Sequence, residues 1–193
     1  MRALFSQLEK LGILLKQDKI LPNVVTLMTG ESLRYSWWSH PQAQEIFDTL
    51  ENLSDHPDVL LTKLVNGKDT FIHRRLWNDF IAVAMSKDPW QIQKLPPAAA
   101  ELLIAVEYQG FLLGSGSAAK ELQKRLLINA KRVHTSAGKH AFMLQSWSLW
   151  LEEHPLVPTE SVAQARLRFE NIIEGMGGGK ALLPWNNLPG NSL

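Results

Sequence analysis

Cysteine is absent from the 193 residues, which excludes disulfides, thiolate chemistry and zinc-finger ligation. Long apolar runs are absent too. The most apolar stretch, Phe80 to Met85, falls far short of the ~20 residues that span a bilayer, so no membrane partner is expected. The start, Met1-Arg2-Ala3-Leu4-Phe5, leads into Glu9 and Lys10 without the apolar core or small-residue cleavage site of a signal peptide, and the expected location is cytoplasmic. No G-x-S-x-G elbow occurs. Gly175-Met176-Gly177-Gly178-Gly179-Lys180 has the wrong spacing for a phosphate loop, and Ala181 stands where Ser or Thr is required. His134 and His140 have no third ligand nearby, so neither a metal nor a cofactor is expected. With no catalytic signature standing out, binding is a better expectation than catalysis.

What is present is enough apolar residue, 45%, to bury a proper core, and seven tryptophans to anchor it. Trp37, Trp38, Trp77, Trp147 and Trp150 read as core or interface anchors. Leu4, Leu8, Leu11 and Leu15 predict an amphipathic helix. Pro22 opens a second short helix that Gly30 ends, and Ser39-His40-Pro41 starts a third through Leu53. Val59–Val65 and Thr70-Phe71-Ile72 flank Asn66-Gly67, a strong hairpin signal because a type I′ turn needs positive φ at both central positions. A helix from Arg75 or Leu76 reaches Met85, and a proline-rich connector follows to Pro97. Ala98–Gln109 predicts a helix with Gly110 past its end, Phe111-Leu112-Leu113 an extended piece, and Ser117 a cap whose capping-box partner is Glu121.

The stretch after Ile128 is ambiguous. One reading makes it a short strand or loop, followed by a helix capped by Thr135 or Ser136 and carrying Met143, Leu144, Trp147, Trp150 and Leu151. The other places a hairpin around Ala137-Gly138. Thr159 to Ile173 predicts a last helix, and the Gly- and Asn-rich tail beyond Gly175 is expected to be loosely held or to wrap the surface. The expected fold is mainly α with small β-hairpins, winged-helix-like, as two tandem units at 1–88 and 89–174 followed by a flexible tail at 175–193. Gly67-Lys68-Asp69-Thr70-Phe71 and Gly138-Lys139-His140-Ala141-Phe142 share one spacing, a match too short to establish a repeat.

Charge is the strongest functional signal. The net charge is only +1, yet residues 118–140 hold six basic side chains and one acid. Residues 1–60, by contrast, hold five basic and eight acidic residues. A concentrated positive patch beside helical sequence is the footprint of a phosphate-binding surface. Lys120, Lys124, Arg125, Lys131 and Arg132 are the phosphate candidates, and Lys139 and His140 would begin a recognition helix. Few aromatics are interleaved with them, which favours duplex DNA over single strands or RNA. The competing expectation is a protein-interaction module whose basic face reads an acidic partner. His73-Arg74-Arg75, near Lys63 and Lys68, is either a second phosphate-contacting wing or a set of structural pairs with Asp79 or Glu51. His40 and His56, each before proline, read as hydrogen-bonded turn residues.

Two resemblances accompany these readings. Gln91-Ile92-Gln93 resembles the Gln-apolar-Gln motif of winged-helix DNA glycosylases that unhook interstrand crosslinks, in which amide groups position a water. It makes Gln91 and Gln93 the catalytic candidates, although the flanking Pro89-Trp90 and Lys94-Leu95-Pro96 depart from that family. The runs Ser36-Trp37-Trp38-Ser39-His40-Pro41, His56-Pro57-Asp58-Val59-Leu60 and Phe71-Ile72-His73-Arg74-Arg75-Leu76-Trp77 resemble a family of small, mostly uncharacterised bacterial proteins. Tyr35 stands where that family is expected to carry Gly. The resemblance implies a bacterial, cytoplasmic origin and no established activity.

Overall fold

The computed structural model describes residues 2–134, 140–156 and 161–186, except for the side chains of His134 and His140. It is mainly helical with two small antiparallel sheets, and the chain passes twice through nearly the same order of elements. The N-terminal unit runs α1 (Arg2–Leu11), β1 (Ile13–Leu15), α2 (Val24–Thr29), α3 (Ala43–Ser54), β2 (Val59–Val65), β3 (Lys68–His73) and α4 (Trp77–Ala84). A short helix, α5 (Pro89–Ile92), leads to the C-terminal unit: α6 (Pro97–Gln109), β4 (Phe111–Gly114), α7 (Ser117–Lys124), β5 (Asn129–His134), β6 (His140–Gln145) and α8 (Trp147–Glu153). A final helix, α9 (Val162–Gly175), comes last. Each sheet has three strands in the order first, third, second: β1-β3-β2 and β4-β6-β5.

The correspondence extends to single residues. Gly12 and Gly110 each link the first helix to the first strand at φ +87° and +82°, where an L side chain is strained. A Cβ on Gly12 would also lie 2.6 Å from Leu76. Each glycine carbonyl accepts an N–H from the residue just after the paired segment of the third strand or at its end: His73 to Gly12 at 2.9 Å and Ser146 to Gly110 at 2.8 Å. His73 and Ser146 then cap the helical turns that begin beside them, accepting from the N–H of Arg75 and of Leu149. Burial pushes the His73 imidazole below its usual pKa, opposed by Glu9 and Asp58 and aided by Arg75 and Arg74, in the direction of the neutral acceptor that this cap uses. One element breaks the repeat: Ser115-Gly116 leads straight into α7, and no counterpart of α2 intervenes.

The two units meet through an exchanged pair of aromatic contacts. Both α4 and α8 begin at a tryptophan and carry an aromatic three residues on. Trp77 meets Trp150 edge-on at 5.1 Å, and Phe80 meets Trp147 edge-on at 5.2 Å, so position one of each helix packs on position four of the other. Phe169 and Ile173 of α9 join this core, and Arg168 reaches the buried Asp79 carboxylate at 2.9 Å. Separate apolar clusters fill the inner face of each sheet.

Several expectations are corrected. The N-terminal helix stops at Leu11, because Gly12 turns the chain and Leu15 pairs as strand with Thr70. The third helix starts at Ala43, with Ser39 in a preceding 3-10 turn. Gly116, not Ser117, is the N-cap of α7. Trp38 is 59% exposed, stacked on the buried Trp37. The helix expected to carry Met143 and Leu144 is not there: both lie in β6, which pairs with β5 from Asn129↔Gln145 to His134↔His140. That is the hairpin alternative, and its connecting residues 135–139 lie outside the described residues. The tail is not loose as far as residue 186, since Leu183 and Trp185 are buried in the junction core. The shared Gly-Lys-x-x-Phe spacing is out of register with the repeat: Phe71 pairs with the middle residue of β1, whereas Phe142 pairs with the last residue of β4. No described helix is long and apolar enough to cross a membrane.

Candidate nucleic-acid interface

The edge strands β2 and β5 come into contact across the junction, and α7 packs against β2. A groove of about 660 Å³ lies along this seam. Lys120, Lys124, Lys131 and Arg132 all line it, joined by Lys16 and Lys63 from the N-terminal unit. The six cationic side chains therefore converge from both units on one surface. Carboxylates come with them: Glu51, Asp55, Asp69 and Glu153 also line the groove.

The pairing inside the groove is uneven. Lys131 Nζ lies 3.2 Å from Asp55 and Arg132 Nη1 lies 3.4 Å from Glu51, both acids being presented from the end of α3. Lys63 is held by Asp69 at 2.6 Å, and Lys16 sits 3.8 Å from the same carboxylate and over the Trp37 ring. Lys120 and Lys124 are exposed, and neither meets a carboxylate among the described residues. The Lys124 stem lies over Gly67, whose own left-handed φ of +64° belongs to the Asn66-Gly67 turn. Lys120 and Lys124 are thus the cations most available to an incoming anion.

Arg125 leaves the expected set. Its guanidinium turns back into the chain, pairing with Glu121 at 2.7 Å and donating to the carbonyls of Gln91 at 3.1 Å and Gln93 at 2.7 Å. It joins α7 to α5. Lys139 lies outside the described residues, and His140 is placed only by its backbone, opposite His134. The His73-Arg74-Arg75 run is structural, although its partners differ from those expected. Arg74 pairs with Asp58 at 2.8 Å, and Arg75 donates to the carbonyls of Glu9 and Lys10. His40 and His56 each accept an N–H two residues on, as turn residues do.

The two glutamines do not form a catalytic pair. Gln91 is wholly buried. Its Oε1 accepts from Ser86 at 2.9 Å and from the Asp88 N–H at 3.1 Å, while its Nε2 donates to the carbonyls of Ala84 and Arg125. Every polar position of the amide is engaged with protein, which leaves none to hold a water. Gln93 is exposed and caps α5. We expect Gln91→Ala to destabilise the fold by about 2 kcal/mol by stranding buried donors and acceptors, measured by urea unfolding. Among the described residues no group of three or more His, Cys, Asp or Glu is placed to hold a metal.

Reading along the chain missed Lys16 and placed Lys63 only beside the His73-Arg74-Arg75 run, because nothing local ties either to a cluster beginning at Lys120. It also missed the shielding acids. The acidic excess of residues 1–60 was the legible sign of Glu51 and Asp55, without a target, and Asp69 lies outside it. No protein-family model, no curated protein and no solved structure matches the chain.

Proposed function

We propose that this chain binds nucleic acid, with two winged-helix-like units laying the phosphate backbone of duplex DNA across the mouth of the groove between β2 and β5. The order helix, strand, two helices, hairpin in the N-terminal unit, and the strands arranged first-third-second in both units, support the winged-helix-like reading, with one helix fewer in the C-terminal unit. The observation that carries the reading is the convergence of Lys16, Lys63, Lys120, Lys124, Lys131 and Arg132, drawn from both units, on one accessible seam. Contacts are to phosphates and not to base edges. The helix of the N-terminal unit that would enter a major groove, α3, carries Glu45, Asp48 and Glu51 and no base. A helix of that sign is repelled by the duplex.

The test is fluorescence anisotropy of a short labelled duplex titrated at several salt concentrations. With Lys120 and Lys124 making the principal contacts, and Lys16 and Lys63 contributing, log affinity should fall against log salt with a slope of roughly −2 to −4. Lys120→Ala with Lys124→Ala should flatten that slope by about 2 while leaving the unfolding midpoint unchanged. A flat salt response in the wild-type protein, or a double variant that binds as well as wild type, overturns the proposal. Tighter binding of the matching single strand would move the ligand from duplex to single-stranded nucleic acid.

A further inference from the structure

The repeat makes the chain its own control, and the comparison singles out β4. In the N-terminal unit the outer edge of the equivalent strand is closed. After β1 the chain turns back on itself, so that the Leu15 N–H donates to Pro22 at 3.2 Å and the Val25 N–H donates to Lys16 at 3.2 Å. Leu15 and Asn23 form a parallel bridge there. The outward side chains of β1, Ile13 and Leu15, are both wholly buried in the junction core.

In the C-terminal unit that closing segment is missing. The loop after β4 is only Ser115-Gly116, and it enters α7 without returning past the strand. The β4 main chain pairs with β6 on one side, and among the described residues no backbone hydrogen bond closes its other side. Counting from Gly12 and Gly110, Phe111 and Leu113 take the places of Ile13 and Leu15. They are 50% and 59% exposed. An uncovered edge strand with apolar side chains is a template for another strand. β4 therefore has the form of β1 without its cover.

We propose that β4 takes up an extended, apolar segment of a partner protein as a further strand, laid parallel to it as Pro22-Asn23 lies beside β1, with Phe111 and Leu113 gripping alternate side chains. Such strand addition draws affinity from main-chain hydrogen bonds and selectivity from the side chains on one face. A second copy of this chain is the poorer occupant. Two β4 strands related by a two-fold axis would run antiparallel, against the internal precedent. They would pair only four residues each, far from the ~1,200–2,000 Å² that a stable interface buries. The proposal stands independently of the cationic groove.

The probe is a fluorescein-labelled alternating peptide, Lys-Thr-Val-Thr-Val-Thr-Lys, added to the 193-residue protein. Anisotropy should report a Kd on the order of 100 μM, with amide exchange slowed at residues 111–114. Phe111→Ser with Leu113→Ser, both on exposed side chains, should weaken binding about tenfold and leave the unfolding midpoint in place. Ile104→Ser with Tyr108→Ser removes still more exposed apolar groups from α6 and should change nothing. The Lys120 and Lys124 replacements should also leave peptide binding intact. No binding at about 1 mM peptide overturns the proposal. So does an equal loss in the α6 control, which would mean nonspecific adhesion. Concentration-dependent dimerisation that protects β4 without peptide would assign the edge to a second copy and equally overturn it.

Discussion

Trp147→Ala should cost about 4 kcal/mol of stability, the largest single-residue effect expected in this chain. The side chain is 4% exposed, its ring meets Phe80 edge-on at 5.2 Å, and its indole N–H donates to the Leu126 carbonyl at 2.7 Å. Leu126 is itself strained: it is non-glycine at φ +55°, a conformation costing roughly 1–2 kcal/mol that its surroundings must hold. Alanine at 147 would open a cavity at the junction and release that carbonyl together. For a chain of this size the loss corresponds to a midpoint lowered by about 8–16 °C, measured by scanning calorimetry. Trp147→Phe keeps most of the packing and forfeits only the N–H, so it should cost about 1–2 kcal/mol. Trp77→Ala should be comparable, and the two changes should not add, since both dismantle one aromatic cluster. A Trp147→Ala loss under about 1 kcal/mol would mean that the units do not share a core.

Removing acids should strengthen DNA binding. Glu51→Gln with Asp55→Asn frees Arg132 and Lys131, which these carboxylates hold at 3.4 and 3.2 Å. Two further cations then become available to phosphates, steepening the log–log salt slope by about 2 and raising affinity about tenfold at low salt. Stability should hardly move, because solvent-exposed pairs are worth about 0–1 kcal/mol. The informative control is Glu45→Gln with Asp48→Asn, which removes the same charge from the same helix away from the groove. It should raise affinity slightly through the long-range field and leave the slope alone. Equal slopes in the two double variants would show that Lys131 and Arg132 never reach the ligand.

Local chemistry was legible in the sequence. Asn66-Gly67 takes positive φ at both positions, 51° and 64°, as a type I′ hairpin turn demands. Gly110 ends α6, and Leu122 faces inward on α7; Leu126 and Leu127 are buried as well, but the helix expected through residue 127 stops at Lys124 and they lie beyond it. The run from His140 to Gln145 was not legible, because Met143 and Leu144 suit a helix stripe and a strand alike. Pairing with β4 and β5 decides it, and although β5 directly precedes β6, β4 lies on the far side of α7 in the chain. The groove divides the same way. The positive cluster could be counted, but Glu51 and Arg132 stand 81 residues apart, and no local pattern announces that they meet. Arg125 and Gln91 looked like surface and catalytic groups, and each turned out to brace the connection between α5 and α7 through the other's carbonyl.

The packing of α9 against α4 has a bearing on synthesis at the ribosome. Arg168 and Phe169 complete a core to which Ile13, Trp77 and Phe80 already belong, so side chains made early are covered only by ones made much later. At ordinary elongation rates the nascent N-terminal half waits on the order of 5–15 s with those side chains uncovered. Over that interval the growing chain presents a greasy, unfinished face, and it is then that chaperone capture or misassociation with a neighbouring nascent chain competes with folding.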